Sequence, residues 1–443
     1  MTTKPEQATR KKNREHIAWY LYDFGNSAYA AVVLLAIYSA YFKNGVVGGA
    51  EGTRLWGISV GIAMLVVAVT SPILGTLADF SVSKKKFLLV YSLITWVFTA
   101  LLFFVEKGDI FTGMLFFILA EIGYRSGQVF YNSLLLDITT PEEIGKVSGN
   151  GWAIGSFGGI LCLAVILPAI MMDQGTLMVR LSLPFTALFF AVAAIPTFLW
   201  IKEKGNPQQL PKGENYLSLA FKRLWATIRE VRSFKEFVKF IVAFLIYNDG
   251  ILMALDFAAI IGAVLFGMDQ QQLIIFMIIV QVTSVAGAYI MAIVGEKIGF
   301  KKSLIFSILM MTAVVLGMLF IETITGFFVI GALAGFALTG VQSISRTMVG
   351  FFAPPEKSAE FFGFFAVAGR TSSFIGPTIY GLLAAEAAFW YEKNQGLSEL
   401  AAEQLGQKVA IVSIAVFLLV GLAVLLTVNE KKGLTVAPKS KSK

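Results

Sequence analysis

Cysteine and histidine are almost absent. The 443 residues contain one of each, Cys162 and His16. A single cysteine excludes an internal disulfide framework and a cysteine-built metal site. A single histidine, in the basic N-terminal tail, excludes a histidine triad and most zinc chemistry. Glycine-rich phosphate loops, HExxH and nucleophile elbows are also missing. No enzyme, metal or cofactor is expected. Charge is scarce too: 14% of residues are charged, where soluble proteins carry about a quarter. The net charge of +8 does not call for nucleic acid, because the basic residues collect in breaks between apolar runs. The first such run follows a basic tail with no small-residue cleavage site, so it reads as a retained helix and not a signal peptide.

What is plentiful is apolar sequence, 57% of the chain. Runs of roughly twenty apolar residues recur from end to end, the length of a membrane-spanning helix. In lipid the backbone must satisfy its own polar groups, so these runs are helices. Short alternating segments of a β-barrel are not seen. Twelve spans are predicted, over 17–43, 54–79, 86–105, 109–137, 147–172, 180–201, 236–266, 270–295, 302–321, 324–346, 358–386 and 407–428. Several exceed the bilayer thickness and imply tilt or extension beyond it. The tails and alternate connections on one side hold 28 Lys and Arg, against six on the other. The positive-inside rule then puts both termini in the cytoplasm.

The predicted organisation is a six-helix bundle over 1–201, a linker over 202–235, a second bundle over 236–428 and a basic tail over 429–443. Within the linker, Phe221, Leu224, Trp225, Ile228 and Val231 share one helical face, with Lys222, Arg223, Arg229 and Arg232 elsewhere. That pattern suits a helix lying on the inner membrane surface or a solvated linker. The two halves repeat landmarks in the same order. Gln128 and Gln342, Pro141 and Pro355, Gly149 and Gly363, and Gly155 and Gly369 lie 214 residues apart. Asp79 and Glu296, and Lys84 and Lys301, lie 217 apart, while Tyr22 and Tyr247 match early in spans one and seven. Two repeated halves suit a transporter with its site at the repeat interface.

Gly75-Thr-Leu-Ala-Asp79 followed by Lys84-Lys85-Lys86 resembles the major facilitator loop motif between spans two and three. It departs from that motif at Phe80, Val82 and Ser83. A second copy runs Gly295-Glu296-Lys297-Ile298-Gly299-Phe300-Lys301. More specific are Trp19-Tyr-Leu-Tyr22-Asp23-Phe-Gly-Asn26 in span one, Tyr247-Asn248-Asp249-Gly250, Gln342-Ser-Ile-Ser345-Arg346 and Glu360-Phe-Phe-Gly363. With these the chain resembles the vacuole effluxer (autophagy-related) branch of the major facilitator superfamily. The resemblance covers almost the whole chain. It implies an all-α membrane fold of twelve helices in two pseudo-symmetric bundles, and, in fungi, an amino-acid exporter of the vacuole.

Charges at bilayer depth are costly, so they face cavities or partners. On span four, Glu121, Arg125, Gln128 and Asn132 fall on one helical face. Glu121 and Arg125 are spaced to pair; the stripe either lines a water-filled cavity or joins helices as a neutralised pair. Asn248 and Asp249 lie in the middle of span seven, Asp256 further out, and Gly250 would permit local unwinding. Arg370 in span eleven is read either as a carboxylate receptor or as a permanent ion-pair partner of Asp249. Asp23 and Asn26 share a face of span one, where Tyr22 adds a hydroxyl. Asp23 is a candidate proton-coupling acid, since a buried carboxylate is costly to keep charged; a gate contact to Arg346 fits equally. Asp79, Lys84, Glu296, Lys297 and Arg346 are expected to latch cytoplasmic span ends. Candidate substrate or coupling residues are therefore Tyr22, Asp23, Asn26, Glu121, Arg125, Gln128, Asn132, Tyr247, Asn248, Asp249, Gln342 and Arg370.

The expected function is alternating-access transport of a small polar or zwitterionic solute such as an amino acid, proton-coupled, by a monomer in a bacterial inner membrane. Export of amphipathic drugs or lysolipids is the second reading. A non-transporting sensor on the same fold would need an added soluble domain or long docking tail.

Overall fold

The computed structural model describes residues 4–80, 83–140, 143–172, 175–204, 234–352 and 373–430, with scattered positions between 215 and 229 and between 361 and 369. Its regular structure is helical, with no strand among the described residues. We number the long helices α1 (Lys4–Tyr29), α2 (Gly49–Phe80), α3 (Lys84–Leu101), α4 (Ile110–Ile138), α5 (Ile144–Met172) and α6 (Leu177–Trp200). They continue as α7 (Lys235–Asp256), α8 (Gln270–Ile298), α9 (Phe300–Gly317), α10 (Ile324–Phe352), α11 (Ile375–Gln395) and α12 (Glu399–Leu426). Among the described residues, ten helices are long and apolar enough to cross a membrane. The other two are α4, whose 29 residues include Glu121 and Arg125, and α11, the described part of the eleventh span. α12 begins at Glu399, eight residues before the apolar run, because Ser398 caps it through a hydrogen bond from the Ala401 N–H.

Apolar side chains cover the outside as well as filling the interior. Large apolar side chains such as Val97, Leu188, Leu199, Val329 and Val416 point outward, as lipid requires. Inward faces carry small hydroxyls: Ser92, Thr95 and Thr99 of α3 are each 1% exposed. Thr95 satisfies itself by donating to the Tyr91 carbonyl one turn back, at 3.0 Å.

The chain forms two compact units. One comprises Met1–Gly48, Thr70–Ala220 and Asp269–Ile274; the other comprises Gly49–Val69, Phe221–Met268 and Ile275–Lys443. The first part of α2 thus clusters with the second half of the sequence, and the first turn of α8 with the first.

In the first unit, α1 packs on α5 and α6. Backbone contact there needs glycine: a Cβ at Gly158 would overlap the Phe24 backbone, and one at Gly151 the Trp19 ring. Beyond Tyr29 the first span widens into π-helical turns over Ala30–Ala36 and Phe42–Val47. There the Ile37 N–H reaches back five residues to the Val32 carbonyl, at 2.9 Å. The turns carry Tyr38 and Tyr41 to carbonyls of Gly113 and Val105, 2.9 and 2.8 Å away. Gly48, at φ 89°, then ends the span in a conformation that favours glycine.

At the Lys-rich end of α3, the Glu203 carboxylate accepts from the backbone N–H groups of Lys84 and Lys85 at 2.9 and 3.0 Å. A carboxylate at a helix N-terminus satisfies orphan donors and complements the dipole. Lys85 Nζ donates to the Ile201 carbonyl at 2.7 Å. The second unit repeats the device: Glu430 accepts from the Lys301 N–H at 2.8 Å, and Lys301 Nζ donates to the Val428 carbonyl at 2.6 Å. By these contacts Lys301 corresponds to Lys85, one residue along from the Lys84 that the sequence spacing picks out.

In the second unit, α7 is continuous through Asn248, Asp249 and Gly250 and breaks at Phe257; a short helix, Ala258–Phe266, follows. The unwinding expected at Gly250 is not there. Gly250 serves packing instead: a Cβ on it would stand 3.2 Å from the Ile414 carbonyl oxygen of α12. At the break, Trp56 Nε1 of α2 donates to the Asp256 carbonyl at 2.9 Å. Beside it, fully buried Gln407 accepts from the Tyr380 hydroxyl at 2.7 Å and donates to Thr53 Oγ1 at 3.0 Å. Gly57 makes the approach possible, since a Cβ there would meet the Gly381 Cα at 3.0 Å. Pro355, Gly363 and Arg370 lie outside the described residues, as do Leu224, Ile228 and Val231 of the linker face; Phe221 and Trp225 are exposed.

Two outcomes follow for stability. Gly158→Ala should lower unfolding stability by about 1–3 kcal/mol through overpacking. Gly149→Ala in the same helix, with nothing within 4 Å of its Cβ, should be neutral or gain up to about 1 kcal/mol. Thermal unfolding in detergent checks this, and equal effects would refute the close contact. Gln407→Leu should cost about 1–3 kcal/mol by stranding buried hydroxyls. An unchanged unfolding curve would show that Gln407 does not link α2, α11 and α12.

Candidate functional site

In the first unit the polar residues of α1 and α4 come together. Glu121 is 0% exposed. Its Oε1 accepts from Arg125 Nε at 2.7 Å, and its Oε2 accepts from the Tyr29 hydroxyl at 3.1 Å. The predicted pair therefore forms, with a third member the sequence reading omits. Arg125 also lies over the Tyr124 ring, 5.1 Å from its centroid, and Tyr29 packs on the same ring at 4.6 Å. Gln128 lies near the Tyr124 hydroxyl, one turn along α4. Asn132, one turn further, is exposed.

Span one contributes differently from what its spacing suggests. The Tyr22 hydroxyl does not face an open space; it bonds Ser92 Oγ of α3 at 2.8 Å, and its ring stacks on Tyr131. Tyr131 stacks in turn on Trp19, and each donates to the other's backbone carbonyl. This aromatic column is core. Asp23 is half-buried, its carboxylate against Gly155 of α5, where any Cβ would overlap it. Asn26 is 3% exposed and its Oδ1 has no hydrogen-bond partner.

In the second unit, α7 and α10 supply the matching set. Gln342 Nε2 donates to Asn248 Oδ1 at 2.9 Å. The Tyr247 hydroxyl and Ser345 Oγ lie 2.7 Å apart. Asp249 is 2% exposed and Asp256 3%. This amide pair and hydroxyl pair join α7 to α10.

The residues expected at cytoplasmic span ends are dispersed. Lys84 Nζ lies 3.1 Å from both Asp137 oxygens, joining α3 to the end of α4. Glu296, Lys297 and Arg346 are exposed. The side chain of Asp79 lies outside the description.

Sequence reasoning passed over Tyr29, Ser92, Tyr124 and Ser345. Tyr29 carried a usable signal, because it follows Tyr22 and Asn26 at i+7 and i+3 on one face. The serines carried none, being ordinary small residues of transmembrane helices.

Comparisons with known proteins agree with this architecture. The family described as "Vacuole effluxer Atg22 like" matches residues 55–142 and 137–437. A Bacillus subtilis protein named "Uncharacterized MFS-type transporter YxiO" is 27% identical over 85% of this chain and 89% of its own length. Autophagy-related protein 22-1 of Aspergillus niger is 24% identical over 65% of this chain, which spans about half of that relative (48%). Among solved structures, a bacterial homolog of the human lysosomal transporter Spinster superposes with a TM-score of 0.70 at 14% identity, covering 100% of both chains. The D-xylose–proton symporter superposes with a TM-score of 0.64 at 15% identity, covering 95% of this chain and 98% of its own. These likenesses share the major facilitator fold, and no enzyme is among them. With the family match covering most of its length, the chain belongs to the Atg22-like vacuole effluxer family and is a multi-pass membrane transporter of the major facilitator type.

Proposed function

We propose that this protein is a secondary active transporter that moves a small polar or zwitterionic solute, amino acids first, by alternating access. The observation that carries the reading is a polar set inside each unit: fully buried Glu121 with half-buried Arg125 on α4, and buried Asn248 and Asp249 on α7 with half-buried Gln342 on α10. Each such group is expensive at bilayer depth, and function is the usual reason to keep it there. The fungal relatives' family description, an effluxer, supports export as the direction. Asp23 and Asp249 are the candidate proton carriers, and Arg370 a candidate carboxylate receptor. The Lys and Arg bias supports cytoplasmic termini. The Bacillus relative supports a bacterial inner membrane as the location.

The test is uptake and counterflow of a labelled amino-acid panel in proteoliposomes, with and without an imposed pH gradient. Asp249→Asn and Arg370→Ala proteins of verified folding are run beside the parent. The expected outcome is saturable flux that responds to the gradient and falls at least tenfold in Asp249→Asn. Absence of flux for every amino acid would discard that substrate class and bring export of amphipathic compounds forward.

A further inference from the structure

The seam between α1 and α6 in the first unit carries an apolar groove that transport does not account for. It encloses about 430 Å³ and is lined by Leu21 and Phe24 of α1 and by α6 from Phe185 to Pro196. The two helices are close beside it. A Cβ on Gly25 would stand 2.9 Å from the Phe190 Cα, and Thr197 Oγ1 donates to the Ala18 carbonyl at 2.7 Å. Phe24 stacks on Phe189 across the seam, with ring centroids 5.3 Å apart. On the rim, Leu188 and Val192 are 63% and 56% exposed, so the groove opens toward the acyl chains of the bilayer.

One end of this seam is cationic. Arg14, Ile17, Leu21 and Phe24 fall at i, i+3, i+7 and i+10, on one face of α1. Arg14 reaches across to α6, its guanidinium over the Trp200 ring and 5.0 Å from the centroid. Trp200 stands one turn beyond Pro196. Arg14 is exposed, and no carboxylate pairs with it among the described residues, whereas nearby Lys12 is paired with Glu143. Tryptophan rings sit at the level of lipid headgroups, and long basic side chains extend to meet them. A guanidinium at the end of an apolar groove is complementary to a phosphate whose acyl chain enters that groove.

We propose that this seam binds one anionic phospholipid of the surrounding bilayer, its phosphate on Arg14 beside Trp200 and one acyl chain along the groove. The lipid clasps α1 to α6 from the membrane side. A zwitterionic lipid brings the same chain and phosphate but adds a quaternary ammonium, which Arg14 repels. The site therefore selects by headgroup charge.

The experiment gives the purified full-length protein in detergent either phosphatidylglycerol or phosphatidylcholine with the same acyl chains. Bound lipid is counted by native mass spectrometry, and circular dichroism verifies the fold of each variant. The parent should retain one phosphatidylglycerol about fivefold more than phosphatidylcholine, and that lipid should raise its unfolding temperature. Arg14→Gln should lose the preference. Val192→Trp fills the groove from its exposed rim and should lower retention of both lipids; Leu188→Trp replaces it should it fail to fold. Lys302→Gln removes an exposed charge from the second unit and should behave as the parent does. Equal retention of the two lipids by the parent, or an undiminished preference in Arg14→Gln, would overturn the proposal. So would loss of the preference in Lys302→Gln, which would mark a response to overall charge, or parental retention in the folded tryptophan variant, which would put the chain elsewhere.

Discussion

Close approach of helix backbones is the constraint on which the rest of this structure depends. Between helices in lipid, hydrophobic burial offers no gain, because the tails are as apolar as leucine. Association must come from dispersion at short range and from polar contacts across the interface. Both require that nothing stand between backbones. Gly158 against Phe24, Gly335 against the Val280 carbonyl and Gly406 against the Ala384 carbonyl are such places. Each is a site where one added methyl would push two helices apart, and with them the polar groups they carry.

With helices held that closely, polar side chains can be set within hydrogen-bond distance at bilayer depth. The two units use this differently. The first places an acid and a base on one helix, braced by a tyrosine from another. The second joins two amides across α7 and α10 and buries the Asp249 carboxylate in α7. Their Lys-rich ends are nevertheless built alike, each with a glutamate capping a helix and a lysine closing on a carbonyl. The two units share this scaffold device and differ in their polar interiors.

Much of the fold was legible from the sequence because lipid makes apolar length a direct signal. The helix boundaries moved by a few residues where a cap such as Ser398 extended a helix into polar sequence. Gly250 permits local unwinding on chemistry alone, yet the helix runs through it and α12 comes near there; α7 ends at Phe257, which has no breaker chemistry of its own. The π-helical turns after Tyr29 were invisible for a related reason, since a run of Ala, Val and Leu looks the same at any helical pitch. In the site, the pairing of Glu121 with Arg125 followed from spacing along one helix. The partners supplied by other helices, Tyr29, Ser92 and Ser345, depend on tertiary contact that periodicity does not encode. Tyr22 shows the converse, being correctly placed near the polar cluster but turned into the core by Ser92.

The allegiance of the first part of α2 bears on how such a gene can be divided. Residues 49–69 belong to the first half of the sequence but are held by Asp256 and Gln407 of the second. A polypeptide cut at the central linker would yield a C-terminal fragment whose Gln407 had lost Thr53, and an N-terminal fragment whose Trp56 had lost the Asp256 carbonyl. Separately expressed halves would have to meet before these bonds could form.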